Sequence, residues 1–136
     1  MARLLCIDYG KKRTGLAVSD PLQIIATGLG TVDSNELIGY LKKYFAVEVV
    51  EHAYVGYPLN MDGSPTDATP LVEKFITHFT RIFPHIPLEK LDERFSSRMA
   101  SQAIAEMGLK KNVREQKALI DVTAATMMLQ EVLATR

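Results

Sequence analysis

Cysteine is almost missing from this chain: Cys6 is the single example, and it lies inside the apolar run Leu4 to Ile7. A disulfide within one chain is thereby excluded, as is a zinc site built on several thiolates. Cys6 reads as a small buried hydrophobe. Net charge is missing too. Lys plus Arg and Asp plus Glu number 16 each, so the chain is not a globally basic nucleic-acid binder, and any attraction for phosphate has to come from local clusters. No apolar run approaches the roughly 18 residues that a membrane span needs. Met1 leads straight into a strand-like segment, without the charged, apolar and small-residue succession of a secretory signal. Repeats, low-complexity tracts and long linkers are absent. Together these gaps leave a soluble, cytoplasmic domain as the expectation.

What is present fits one core. The 136 residues suit a single domain over 1–136, and 47% hydrophobic with 24% charged residues is ordinary globular usage. Arg3 to Asp8 reads as a strand, and Thr14 to Ser19 as its hairpin partner across the short linker "YGKKR". Ile24 to Val32 is β-branched and glycine-punctuated, a third strand of a meander. "DSNELIGYLKKYF" opens with helix-capping residues and spaces Leu37, Ile38, Leu41, Tyr44 and Phe45 as one helix face. "AYVGYP" is a fourth strand, followed by turn-rich residues, a helix over 70–83 and a fifth strand, "LEKLDE". Two helices, Ser97 to Met107 and Val113 to Leu133, close the chain. This order predicts an α/β fold with a mixed five-stranded sheet: three antiparallel strands, then parallel strands joined by right-handed crossovers.

Asp8 is the first residue that core packing does not explain. Strand alternation puts it on one face with Leu4 and Cys6, and a buried aspartate needs a partner, a hydrogen-bond network or a metal. The plainer alternative is a turn aspartate bonded to the "YGKK" backbone. Gly15, Ala17 and Ser19 share a face and are small, so another element can approach closely. The last helix offers Ala118, Ala124, Ala125 and Met128 around Asp121 as a matching surface. Asp121 is then a second candidate acid, its alternative being an exposed partner for Lys117.

Asp92 and Glu93 end the fifth strand, and alternation allows only one of them to face Asp8. An acidic pair at a helix N-terminus is the alternative. Three carboxylates at one sheet edge would suit Mg²⁺ or Mn²⁺. The loop "VGYPLNMDGSPTDAT" follows a strand where α/β proteins place ligands, with Asn60 and Asp62 as candidates beside ordinary turn chemistry. Cations flank each acid: Lys11, Lys12 and Arg13; Arg94 and Arg98; Lys110, Lys111 and Arg114. A polyanion crossing the acids would need such a rim.

Four segments, "IDYGKKRTGLAVSD", "VGYPLNMDGSPTDAT", "DERFSS" and "KALIDVTAATMMLQ", resemble in order and spacing the hallmark segments of the bacterial YqgF family, also called RuvX or pre-16S rRNA nucleases. The resemblance implies a ribonuclease H-like fold close to the RuvC Holliday junction resolvases, with divalent-metal phosphodiester hydrolysis. It also implies trimming of the 5′ end of precursor 16S rRNA, with structured RNA and the small-subunit precursor as partners.

Carried over residue by residue, Asp8, Glu93 and Asp121 match the family's acids, and are expected to be catalytic and to hold two Mg²⁺ or Mn²⁺ ions with Asp8 between them. Arg13, Asn60, Arg94 and Lys117 match further motif positions and are expected to bind substrate. Phe95 and Ser97 stand where the family often has Leu and Thr, and Tyr57 often replaces Leu. RuvC-like nucleases carry an acid after strand four, where this chain has Gly56, Tyr57 and Pro58, so Glu93 is expected to supply that ligand.

Three rivals remain. A Holliday junction resolvase needs two sites, hence a dimer, against the monomer or weak dimer expected otherwise. A non-catalytic nucleic-acid-binding module would keep the fold without the chemistry. "DYGKKRTG" also resembles the phosphate loop of actin-type and sugar-kinase ATPases, but those need two lobes and this length supplies one.

Overall fold

The computed structural model describes residues 2–92 and 113–135, with the side chains of the second segment from 122 onward. The expected helix at Ser97–Met107, Glu93 and Arg94 lie outside the described residues.

Three strands, β1 (Arg3–Asp8), β2 (Arg13–Ser19) and β3 (Ala26–Asp33), form the antiparallel meander. A 3-10 turn (Ser34–Glu36) leads into α1 (Leu37–Val47), followed by β4 (Val50–Tyr57), α2 (Thr69–Ile82), β5 (Leu88–Asp92) and α3 (Val113–Thr135). The sheet order is β3-β2-β1-β4-β5, with β4 parallel to both β1 and β5. β1 is therefore the central strand. Its run Leu4 to Ile7 is fully buried because helices cover both sheet faces.

Alternation sorts the core. Leu5, Ile7, Leu16 and Val18 pack with Leu37 and Leu41 of α1 and with Val72, Phe75 and Phe79 of α2. Leu4, Cys6 and Ala17 face the other way, onto Ala125, Met128 and Leu129 of α3. Phe79 anchors the first layer, with Phe75 and Phe83 at ring-centroid distances of 5.9 and 5.0 Å. The α3 layer mixes small side chains, Cys6, Ala17, Ala26 and Ala125, with Leu4, Tyr54, Met128 and Leu129.

Two local expectations need correction. Ile24 and Ile25 are not in a strand, because β3 begins at Ala26. One oxygen of Asp20 accepts the N–H groups of Ile24 and Ile25 at 2.7 and 2.8 Å, and the other accepts Leu22 N–H at 3.2 Å, folding the segment into a turn. These bonds, Ile25 first and Ile24 second, hold the Asp20 carboxyl below its ordinary range. The turn leaves Ile24 and Ile25 66% and 63% exposed. The second correction concerns the start of α1, where Asp33 makes no side-chain cap. Ser34 does not cap either, since its hydroxyl donates to Gly10 O at 2.5 Å.

Candidate functional site

The parallel strands β1, β4 and β5 bring their last residues, Asp8, Tyr57 and Asp92, to the same edge of the sheet. Asp8 is half-buried on the face that α3 covers, and its register partner on β2 is Gly15. Arg13 stands on the same face of β2, one alternation beyond Gly15. Asp92 pairs in register with Tyr57, which packs on the α2 side, whereas Leu91 packs on the α3 side.

The seating of α3 depends on a glycine. A Cβ on Gly28 would lie 3.0 Å from Val122 Cγ2 and 3.3 Å from Thr126 Oγ1, so a side chain there would require those two side chains to give by a few tenths of an ångström. Ala124 and Ala125 are fully buried beneath the same helix. Gly28 faces Val122 and Thr126, while Ala26, nearer the opposite edge, shares a groove with Gln130, Leu133 and Ala134. Over β3 the helix therefore runs antiparallel to the strand, while Met128, Glu131, Val132 and Thr135 reach Leu91 and Asp92 at the end of β5, so α3 crosses the sheet obliquely. Positions 121 and 117 lie one and two turns before Ala125.

The hairpin between β1 and β2 is tightly fixed. A Cβ on Gly10 would come within 2.4 Å of Arg13 O, a distance no side chain tolerates. Ser34 clamps the same turn from outside. Its N–H donates to Lys12 O at 2.9 Å, its hydroxyl to Gly10 O, and the buried Thr14 hydroxyl donates to Ser34 Oγ at 2.9 Å. Lys11 and Lys12 are thereby held exposed at the tip.

The loop after β4 closes on itself. Asn60 Nδ2 donates to Ser64 Oγ at 3.0 Å and to Pro65 O at 3.1 Å, which directs both amide hydrogens inward. Asp62 Oδ1 accepts the Ser64 N–H and hydroxyl at 2.9 and 2.6 Å, and Gly63 adopts φ +87° at the turn. Thr69 Oγ1 donates to Pro58 O at 2.6 Å and ties the loop's far end to the end of β4. Asn60 thus shapes the loop, and Asp62 serves its turn.

A cluster on the α2 side went unread in the sequence. Tyr57 OH donates to Glu73 Oε1 at 2.5 Å, Lys90 Nζ donates to the same oxygen at 2.9 Å, and the Lys90 ammonium lies 4.6 Å from the Tyr57 ring centroid. The Tyr57 hydroxyl first, and Lys90 second, hold the Glu73 carboxyl below its usual range, while their bonds to Glu73 raise Tyr57 and Lys90. A lowered carboxyl contributes stability above its unfolded pKa and loses it as pH falls through the folded value. Raised Tyr57 and Lys90 contribute below their unfolded values and lose it as pH rises through the folded ones. Glu73→Gln is therefore expected to melt below wild type between about pH 5 and 9, with the two curves converging at both extremes. A thermal-melt series against pH checks this.

Among the described residues no three His, Cys, Asp or Glu side chains group closely enough to hold a metal. Asp8 is the only one of the three expected acids whose side chain is described. For Asp121 and Lys117 the structure describes backbone alone, and Glu93 and Arg94 lie outside the described residues.

A central strand ending on a carboxylate, three antiparallel strands followed by two parallel ones, and a long helix packed across one sheet face define a ribonuclease H-like α/β domain. The family model described as "RuvX: Holliday junction resolvase" matches residues 2–135, and the chain belongs to that family. A relative from Flavobacterium psychrophilum, named "Putative pre-16S rRNA nuclease", is 48% identical over 136 residues, 100% of this chain and 99% of its own length. Relatives of the same name from Christiangramia forsetii and Bacteroides thetaiotaomicron are 48% and 43% identical, covering 96% and 100% of this chain and 96% and 99% of their own. A glucokinase crystal structure from an Antarctic psychrotroph aligns with 76% of this chain and 35% of its own at 16% identity, with a TM-score of 0.42, too low to argue from.

Proposed function

We propose that this chain is a divalent-metal-dependent nuclease that hydrolyses phosphodiester bonds in structured RNA and matures the 5′ end of precursor 16S rRNA in the cytoplasm. The observation that carries the reading is Asp8: a half-buried carboxylate held by packing at the end of the central strand, at the edge where β4 and β5 also end. The names of relatives at 43–48% identity supply the substrate. No helix among the described residues is long and apolar enough to cross a membrane.

The donor chemistry fits Mg²⁺ or Mn²⁺, since hard carboxylate oxygens are the ligands such ions take and Asp8 presents one at the end of the central strand. Asp8, Glu93 and Asp121 would hold the metal. When bound it supplies charge neutralisation at the phosphate and a more acidic water. Asp121 lies one turn before Ala125 on α3, the helix that covers the Asp8 face of the sheet, which supports its inclusion. Arg13, Arg94 and Lys117 then supply positive charge to bind and orient the substrate phosphates, and Asn60 acts through the shape of its loop.

The family description favours a second reading, a resolvase of branched DNA. The test offers the purified protein a precursor 16S rRNA fragment and a four-way DNA junction, each with Mg²⁺ and with EDTA. Cleavage of the RNA that EDTA abolishes is expected. Cutting of the junction alone, or RNA bound and left intact, would overturn the proposal.

A further inference from the structure

A chain of shallow depressions crosses the other side of the molecule, between the start of α1 and the outer face of α2. The central one, of about 370 Å³, has an apolar floor that includes Tyr9 and Phe75, whose rings stack at 4.6 Å, and a polar rim of Ser34, Asn35, Lys74 and His78. It shares Lys74 and His78 with a depression of about 330 Å³ that ends at Arg81, and Asn35 with one of about 460 Å³ that ends at Lys43. Tyr9, at the middle of the trough, is the residue after Asp8, and Ser34 ties the trough to the hairpin bearing Lys11 and Lys12.

Its charge is one-sided. Lys43, Lys74 and Arg81 line it against two acids, Glu36 and Glu73, and Glu73 is already bonded by Lys90 and Tyr57. Arg81 is also oriented, its Nη2 donating to His78 Nδ1 at 3.1 Å. A depression of nucleotide size, with the half-buried Tyr9 ring backed by Phe75 in its lining and cations at its rim, matches a nucleotide unit whose base lies against that ring and whose phosphates face the ammonium and guanidinium groups.

We propose that this trough binds the single-stranded polynucleotide flanking the scissile phosphate, with Lys74 and Arg81 on successive phosphates. The inference rests on the nuclease reading for the identity of the strand, yet its test is independent of cleavage.

Fluorescence anisotropy with a labelled single-stranded 12-mer, RNA and DNA in separate arms, is read in EDTA so that no cleavage occurs. Lys74→Ala with Arg81→Ala is compared with Lys42→Glu, the same change in net charge at an exposed α1 position outside the trough. The double variant is expected to lose on the order of tenfold to thirtyfold in affinity at 0.1 M salt, and its log–log salt slope to fall by about 1.4, on both nucleic acids. Lys74→Gln with Arg81→Gln should reproduce this, and circular dichroism melts near wild type confirm folding. Wild-type affinity in the double variant, or a loss no larger than that of Lys42→Glu, would overturn the proposal. A trough that binds in a protein that never cleaves would refute the nuclease reading and leave this one standing.

Discussion

Asp8→Asn is expected to lower the rate of Mg²⁺-dependent RNA cleavage by about 10² to 10³-fold while leaving the protein folded. The substitution keeps the shape of the side chain and removes its charge. Asp8 occupies the end of a strand whose Leu4 to Ile7 are fully buried, so the position itself is fixed by packing that the substitution does not touch. In EDTA the variant should melt at or above the wild-type temperature, because in the proposed site Asp8 would repel the other two acids when no cation is present. Lost activity with unchanged or raised stability separates a functional carboxylate from a turn aspartate, whose loss would lower the melting temperature without a selective effect on rate. Steady-state cleavage beside a thermal melt measures both.

The second large effect concerns the seat of α3. Ala125 is fully buried between that helix and Leu4, Cys6 and Ala17, and Ala125→Leu would insert three further carbons into a closed layer. Overpacking of this kind costs about 1–3 kcal/mol, or roughly 3–10 °C in melting temperature for a domain of this size. Activity at 25 °C, far below the melt, is expected to fall about tenfold or more, since a shift of even 1 Å in a positioned group is costly. A variant that melts lower but cleaves as wild type would show that the position of α3 does not matter to the site.

The sheet and its central carboxylate were legible because they rest on periodicity. Leu4, Cys6 and Asp8 alternate with Leu5 and Ile7, and the smallness of Gly15 and Ala17 announces a close neighbour, which α3 provides. Ile24 and Ile25 misled for a physical reason: β-branched residues suggest a strand, but Asp20 takes their N–H groups into a turn. Gly28 carries the tightest approach of α3, yet among the glycines of "TGLG" nothing local distinguishes it. Ser34 looked like a helix cap and is a clamp on the hairpin, a bond across 24 residues that no local pattern encodes. The same holds for Tyr57, Glu73 and Lys90, which meet only because β4, α2 and β5 are neighbours in space. Asn60 was correctly placed on the loop at the sheet edge, but which way its amide turns depends on Ser64 and Pro65.

The central claim is that acids from three separated segments form one metal site. Titrating Mn²⁺ into the full chain by isothermal calorimetry tests it most directly, with wild type beside Asp8→Asn, Glu93→Gln and Asp121→Asn. The account predicts that wild type binds Mn²⁺ and that each single variant weakens binding by at least about tenfold. Binding by Asp8→Asn as tight as that of wild type would contradict it.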